Sequence, residues 1–264
     1  MKHFGKLLIG LGLIGCFLIA GCGSDNGDDG YHIAEFWPLG QGDTWTYGWE
    51  SPSVKTYDGM YIQTVSGTET IDGIEIVRLQ IDDGGYMLFT NTNGLTRYKD
   101  GVETEYQRIF SPPLQEYPAN MSVGEQHAFS SDVTFIDADG NSYADSVSIT
   151  NTLEGAEEVT VPAGTFSGCL KFTLTWTYVY VEGDSTIGEI TEWLAKDVGT
   201  IKYTEQYQYI DADGGDVGSF TATTELVSAT VGGLNYSDSS AKGVEGVKGT
   251  PLSVSPVFAR SRRR

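Results

Sequence analysis

From Tyr31 onward apolar and polar residues alternate with a period of two, the spacing that places every second side chain on one face of a strand. Trp45, Tyr47 and Trp49 alternate with Thr44, Thr46 and Gly48. Leu170, Phe172, Leu174, Trp176, Tyr178 and Tyr180 alternate with Lys171, Thr173, Thr175, Thr177 and Val179. Ile201, Tyr203, Tyr207 and Tyr209 share one face, interrupted only by Glu205. Shorter strands are predicted over 60–65, 74–81, 86–90, 102–109, 127–136, 143–150 and 217–230. Between them stand Asp72-Gly73, Asp83-Gly84-Gly85, Asn93-Gly94, Asp100-Gly101, Asp139-Gly140 and Asp213-Gly214-Gly215. Such pairs tolerate the positive φ angles of tight hairpins, so consecutive strands are expected to pair antiparallel. No capped helix and no alternation of strand and helix is visible.

A long antiparallel sheet with one aromatic face must cover that face, by curling on itself or by stacking as a sandwich. The expected fold is all-β: a curved antiparallel meander forming a half-barrel or barrel, with few helices. Along 169–181 the Leu170 and Phe172 end carries no polar tips and suits a core. Trp176, Tyr178 and Tyr180 each carry a hydrogen-bonding handle, which suits a wet rim or a ligand mouth. These three are the candidate ligand-facing residues.

The first 21 residues have the zones of a secretory signal peptide. Lys2 and Lys6 open it, and Leu7–Ala20 carries no charge. As a helix that stretch reaches about 21 Å, short of a hydrocarbon core of about 30 Å. Ile19-Ala20-Gly21-Cys22 resembles the bacterial lipobox, although leucine is commoner than isoleucine at its first position. The resemblance implies that Cys22 becomes a lipidated N-terminus, carrying diacylglycerol and a palmitate-like chain that anchors the protein to a membrane. Gly23 stands where an aspartate often retains lipoproteins in the inner membrane, which points to the outer one. Residues 22–30, without an apolar residue after the cysteine, read as a flexible tether. The expected organisation is signal peptide 1–21, tether 22–30, β domain 31–232 and a disordered basic tail 233–264.

Charge narrows the partners. Residues 22–232 hold 8 Lys and Arg against 34 Asp and Glu, whereas 233–264 hold 6 against 2. So acidic a body repels phosphate backbones, and nucleic acid is not expected as a partner. The acids read mainly as a solvated face. Cys169 is the one cysteine beyond the leader and Cys22, and it reads as a small core residue. His32 and His127 cannot build a three-histidine metal site. Asp137-x-Asp139-Gly140-Asn141 and Asp211-x-Asp213-Gly214-Gly215-Asp216 carry spaced oxygen ligands. The first has Ser142 and Ser148 where a calcium loop needs glycine and an acid, and the second fails too, so both read as hairpin tips. No metal and no cofactor is expected. No nucleophile elbow, phosphate-binding loop or zinc motif occurs.

Three motifs carry a further resemblance. Pro38-Leu39 with Gly42, Trp45 and Tyr47, then Val161-Pro162-Ala163-Gly164-x-Phe166-x-x-Cys169, then Trp193-x-Ala195-x-x-Val198-Gly199-x-x-Lys202 resemble those of uncharacterised β-rich bacterial lipoproteins. In outline these are similar to the LolA/LolB-like lipoprotein carriers. The match runs from about Phe36 to Glu205, with 137–156 departing as an acidic, glycine-containing insertion. It implies a curved sheet holding lipid in its concavity, and it brings no established enzymatic activity to carry over. The expected role is therefore a non-catalytic envelope lipoprotein binding an apolar or amphipathic ligand, or a partner protein. The alternatives are a structural or surface-display lipoprotein and, behind it, a carbohydrate hydrolase of the envelope.

Overall fold

The computed structural model describes residues 30–51 and 59–237. Cys22, the leader, most of the tether and the tail beyond 237 lie outside the described residues. Fifteen strands follow one another: β1 (Tyr31–His32), β2 (Thr44–Glu50), β3 (Gly59–Ile71), β4 (Ile74–Ile81), β5 (Gly85–Thr90), β6 (Leu95–Val102), β7 (Tyr106–Tyr117), β8 (Asn120–Met121), β9 (Gln126–Asp137), β10 (Ser142–Val161), β11 (Gly164–Val179), β12 (Ser185–Ala195), β13 (Gly199–Ile210), β14 (Asp216–Val231) and β15 (Leu234–Tyr236). A single 3-10 turn, Ile33–Phe36, follows β1, and there is no α-helix among the described residues.

Twelve of these strands form a closed antiparallel barrel. Each pairs with its neighbours in the chain (β7 meeting β9 past the short β8), and β14 pairs with β2 to close the ring. The fold is thus all-β and a full barrel, so the aromatic face lines a lumen. β15 continues along the edge of β14 beyond the first residue of β13, and β1 pairs with β8 in a two-stranded ribbon. The outer wall is polar. Ser130, Asp132, Thr134, Ser146, Ser148, Glu189, Gln206 and Gln208 all point outward and are exposed, the reverse of a membrane-spanning barrel, whose outer band is apolar.

Period-two alternation puts the same side of every strand inside, and the register stacks the inward residues in rows around the wall. One row runs Ile149, Trp176, Gly188, Tyr207 and Phe220, from β10 to β14. The next runs Asn151, Leu174, Ile190, Glu205 and Ala222, and below it Leu153, Phe172, Glu192, Tyr203 and Thr224.

The end of the barrel beyond this last row is filled and plugged. Ile33 and Phe36 are buried there with Leu95, Met121, Leu170, Leu194, Ile201 and Leu226. The plug is held by its backbone: Ile33 N donates to Ala119 O at 2.9 Å and Asp197 N to Glu35 O at 2.8 Å. Asn91 Nδ2 donates to Trp37 O at 2.8 Å, and Lys196 pairs with Glu35 at 2.8 Å. The opposite end holds a second apolar cluster of Phe110, Val133, Val147, Ile149, Trp176, Tyr178 and Tyr207.

The strand expectations differ from the structure in instructive places. Asp100-Gly101 is not a turn but the end of β6, and the hairpin lies three residues on, at 103–105. Gly101 is needed because a Cβ there would meet Tyr106 O at 2.3 Å. Residues 137–156 are no insertion: most belong to β10, whose 20 residues make it the longest strand. Most of its polar residues form the outer face of the barrel, Asp145 and Asn151 being buried on the inner one, and bulges near Gly155 and Glu158 break its alternation. Pairing also runs past residue 232 into β15.

Candidate functional site

Between the two apolar clusters lies a cavity of about 130 Å³. Its wall is aromatic where the rows carry Tyr47, Tyr61, Trp176, Tyr178 and Tyr203 and where Trp37 reaches in from the plug, and aliphatic where the rows carry Leu79, Leu114, Val147, Leu174 and Ile190. An apolar cavity of comparable volume holds one benzene ring. Tyr47 donates to Thr200 O at 2.9 Å, and the hydroxyls of Tyr61 and Tyr203 lie 3.2 Å apart. The indole N–H groups of Trp37 and Trp176 on this wall meet no acceptor.

The lumen is also charged. Arg108, with no exposed surface, donates from Nε and Nη2 to the two carboxylate oxygens of its cross-strand partner Asp100, at 2.7 and 2.8 Å. Arg97 donates to the same carboxylate at 2.9 Å and pairs with Glu116 through its other terminal nitrogen. Glu192 accepts from the Tyr117 hydroxyl and, at 2.6 Å, from Thr200 Oγ1. Burial pushes Glu116 up to about 7 against the pull of Arg97, and pushes Glu192 up as well. Arg97, Arg108, Glu116, Glu192 and Glu205 all reach the cavity. Fixed guanidinium–carboxylate pairs in a low-dielectric interior are costly to bury and rigid once formed.

Of the three candidate ligand-facing residues, Trp176 and Tyr178 line this cavity and Tyr180 does not. Tyr178 is no wet rim: it is 1% exposed and donates to Asp145 Oδ2 at 2.8 Å. Tyr180 packs against Tyr178 at 4.8 Å between ring centres, with its hydroxyl 3.1 Å from Thr186 Oγ1. Cys22 lies outside the described residues. The charged groups of the lumen were missed in the sequence, except that Glu205 showed as the interruption of a face.

The three motifs turn out to be scaffold. Trp45 donates to Val198 O at 2.7 Å, and a Cβ on Gly199 (φ +100°) would lie 3.5 Å from the same indole nitrogen, so the first and third motifs dock on one another. In the second, Ala163 N donates to Leu226 O at 3.0 Å and Cys169 is buried with its Sγ 3.2 Å from Phe166 O. Burial pushes the Cys169 thiol up to about 11, far from a nucleophile's range. In the 137–141 loop the Asp137 carboxylate accepts from Asp139 N, Asn141 N and Asn141 Nδ2, all within its own turn. Among the described residues no three His, Cys, Asp or Glu side chains converge as a metal site.

Fold and lumen together define a closed antiparallel barrel with a polar exterior and an aromatic, partly ionic cavity. The chain belongs to the DUF3108-like family, whose model matches residues 80–212, half of its length. That stretch runs from the end of β4 to just past β13 and includes Arg97, Asp100, Arg108, Glu116, Trp176, Glu192 and Glu205. No curated protein matches the sequence. Among solved structures the chain is similar to a proposed lipoprotein from Parabacteroides distasonis, with 15% identity, a TM-score of 0.41, and coverage of 72% of this chain and 96% of that one. It is also similar to a proposed exported protein with a YmcC-like fold from Bacteroides fragilis, with 13% identity, a TM-score of 0.44 and the same coverages, 72% and 96%.

Proposed function

We propose that the protein is a non-catalytic, lipid-anchored binding protein of the bacterial envelope whose barrel lumen takes a small apolar or amphipathic ligand. The observation that carries this reading is the cavity: an aromatic space between two packed clusters, with the buried N–H of Trp176 left without an acceptor. A barrel serving only as a structural element gains stability from filling its lumen, and buried donors are nearly always satisfied. The size argues for a ring or a short chain rather than a whole lipid. The lipobox-like Ile19-Ala20-Gly21-Cys22 supports the anchor, and Gly23 supports the outer membrane as its place. The carboxylates of the lumen do not favour hydrolysis. Glu116 is tied to Arg97, and Glu192 to Tyr117 and Thr200, so neither is presented to a reacting bond.

Titrating the Cys22→Ser chain, free of lipid, with toluene, a single ring that matches the cavity, while following tryptophan fluorescence tests the reading. Saturable binding that is lost in Leu174→Trp, which fills the space, is the expected result. A folded chain that gives no saturable signal with this probe or with its cationic and anionic counterparts refutes it.

A further inference from the structure

Resting on the lumenal-binding reading above, we infer that the ligand is a cation: an ammonium head on a compact apolar body. Three independent features of the barrel agree on the sign of the charge.

The first is the charge count inside. Glu116, Glu192 and Glu205 line the cavity, and Asp100 lies directly behind it, against the two guanidiniums of Arg97 and Arg108. Four carboxylates thus face two cations, and both cations are already engaged by Asp100. An anionic head would meet guanidiniums whose charge is already offset, Arg108 by Asp100 and Arg97 by Asp100 and Glu116. A cationic head has only to approach carboxylates that burial disfavours as anions, and its charge removes that penalty.

The second is the wall. Aromatic faces carry negative charge density, and a cation within about 6 Å of a ring centre is attracted to it, more strongly where water is excluded. Tyr47, Tyr61, Trp176, Tyr178 and Tyr203 surround the space where the carboxylates sit. Aromatic rings interleaved with carboxylates are the chemistry that recognises ammonium groups.

The third is the approach. Strands alternate in direction, so every second connection falls at the same end of the barrel. At the end away from the plug, five described connections (82–84, 103–105, 138–141, 180–184 and 211–215) carry nine acids and no Lys, Arg or His. They are Asp82, Asp83, Glu103, Glu105, Asp139, Glu182, Asp184, Asp211 and Asp213. The described connections at the plugged end carry five acids, Glu35, Asp43, Asp72, Glu125 and Asp197, and Lys196 pairs with the first of them. A one-signed ring at a cavity's end concentrates counter-ions and speeds their entry.

Three ligands sharing one benzene ring decide the matter: benzylamine, cationic at neutral pH, uncharged toluene, and anionic phenylacetate. Each is titrated into the Cys22→Ser chain by calorimetry and tryptophan fluorescence. The amine is expected to bind tightest, by roughly tenfold over the neutral compound, with the acetate weakest. Glu192→Gln and, separately, Glu205→Gln should each shrink that advantage, read as the ratio of amine to neutral affinity within the same variant. Added salt should slow association of the amine alone. Equal binding of amine and neutral compound, or preference for the acetate, overturns this inference and leaves lumenal binding standing. If none of the three binds, lumenal binding falls and this inference with it. Should either Glu variant fail to fold, the three-way comparison in the parent chain still decides.

Discussion

The indole of Trp176 lies against Gly188, its cross-strand partner on β12, so closely that a methyl group at Gly188 would sit 2.4 Å from the ring. A glycine inside a strand weakens it, and an aromatic ring laid over the gap restores the lost packing. Here the missing side chain also sets the position of a residue on the cavity wall. Gly188→Ala is therefore expected to push the indole out of place, costing about 1–3 kcal/mol as overpacking does. The same substitution should weaken toluene binding, because the displaced ring alters the space it lined. Urea denaturation and probe titration on one preparation read both effects. Unchanged affinity would show that the ring position does not shape the site.

The ion cluster should behave as a unit buried at high cost. Asp100→Ala leaves Arg108 charged and enclosed without its bidentate partner, and removing one member of such a pair costs about 3–5 kcal/mol. Glu103→Gln removes one partner of Arg78 where the carboxylate is 56% exposed, and water screens that pair to below about 1 kcal/mol. Midpoints of urea unfolding for the two variants should differ accordingly. Similar losses from both would mean that Arg108 finds relief through relaxation of the barrel.

How much of this was legible in the sequence differs between wall and contents. The alternation along 170–180 placed Trp176 and Tyr178 on one face because a barrel strand, solvated on one side, keeps a clean period of two. It could not say how far each was buried, since burial depends on the ring of neighbours that the closed sheet supplies. Arg97, Asp100 and Arg108 were invisible for a physical reason. A charge at an inward position looks like a charge at an outward one until its counter-ion is located, and the partner of Arg108 is fixed by register. Asp100-Gly101 even reads as a turn, because the residue types that suit a hairpin also suit a buried ion and a close backbone approach. Glu205 was the one visible trace, an acid standing on an aromatic face. The docking of Trp45 on Val198 spans 153 positions, and period two gives a face but never a partner.

Cys169 offers a test of the scaffold reading of its motif. With no exposed surface and a thiol pushed up to about 11, it should resist alkylation by iodoacetamide in the native protein and react once urea unfolds the chain. Cys169→Ala should cost on the order of 1 kcal/mol, the loss of a small buried atom. Rapid native alkylation would instead mark an accessible, activated thiol.

The anchor is tested outside the barrel. Metabolic labelling with a palmitate analogue should mark the parent chain and leave Cys22→Ser unmarked. Equal labelling of both removes the lipid from the proposal without touching the lumen.

The pH dependence of stability follows from Glu116. Its carboxyl, 12% exposed, is pushed up from 4.5 to about 7, first by burial and then by the charges of Glu192 on β12 and Asp100 on β6; Arg97 on β6 and Arg108 on β7 oppose the shift. In the unfolded chain the group ionises near its ordinary value, so between about 4.5 and 7 the unfolded state releases a proton that the folded state keeps. Stability therefore falls as pH rises through that window, and levels off once the folded carboxyl has ionised too. Glu192, raised by burial against the opposing effects of Thr200, Tyr117 and Arg97, adds a slope of the same sign. Glu116→Gln cannot ionise in either state and should flatten the decline while keeping an acceptor for Arg97. Melting temperatures across the window, for parent and variant, check the sign directly. Stability that rises from about 4.5 to 7 in the parent chain, or a slope untouched by Glu116→Gln, would mean that Arg97 holds the carboxylate ionised throughout, leaving the folded protein no proton to retain.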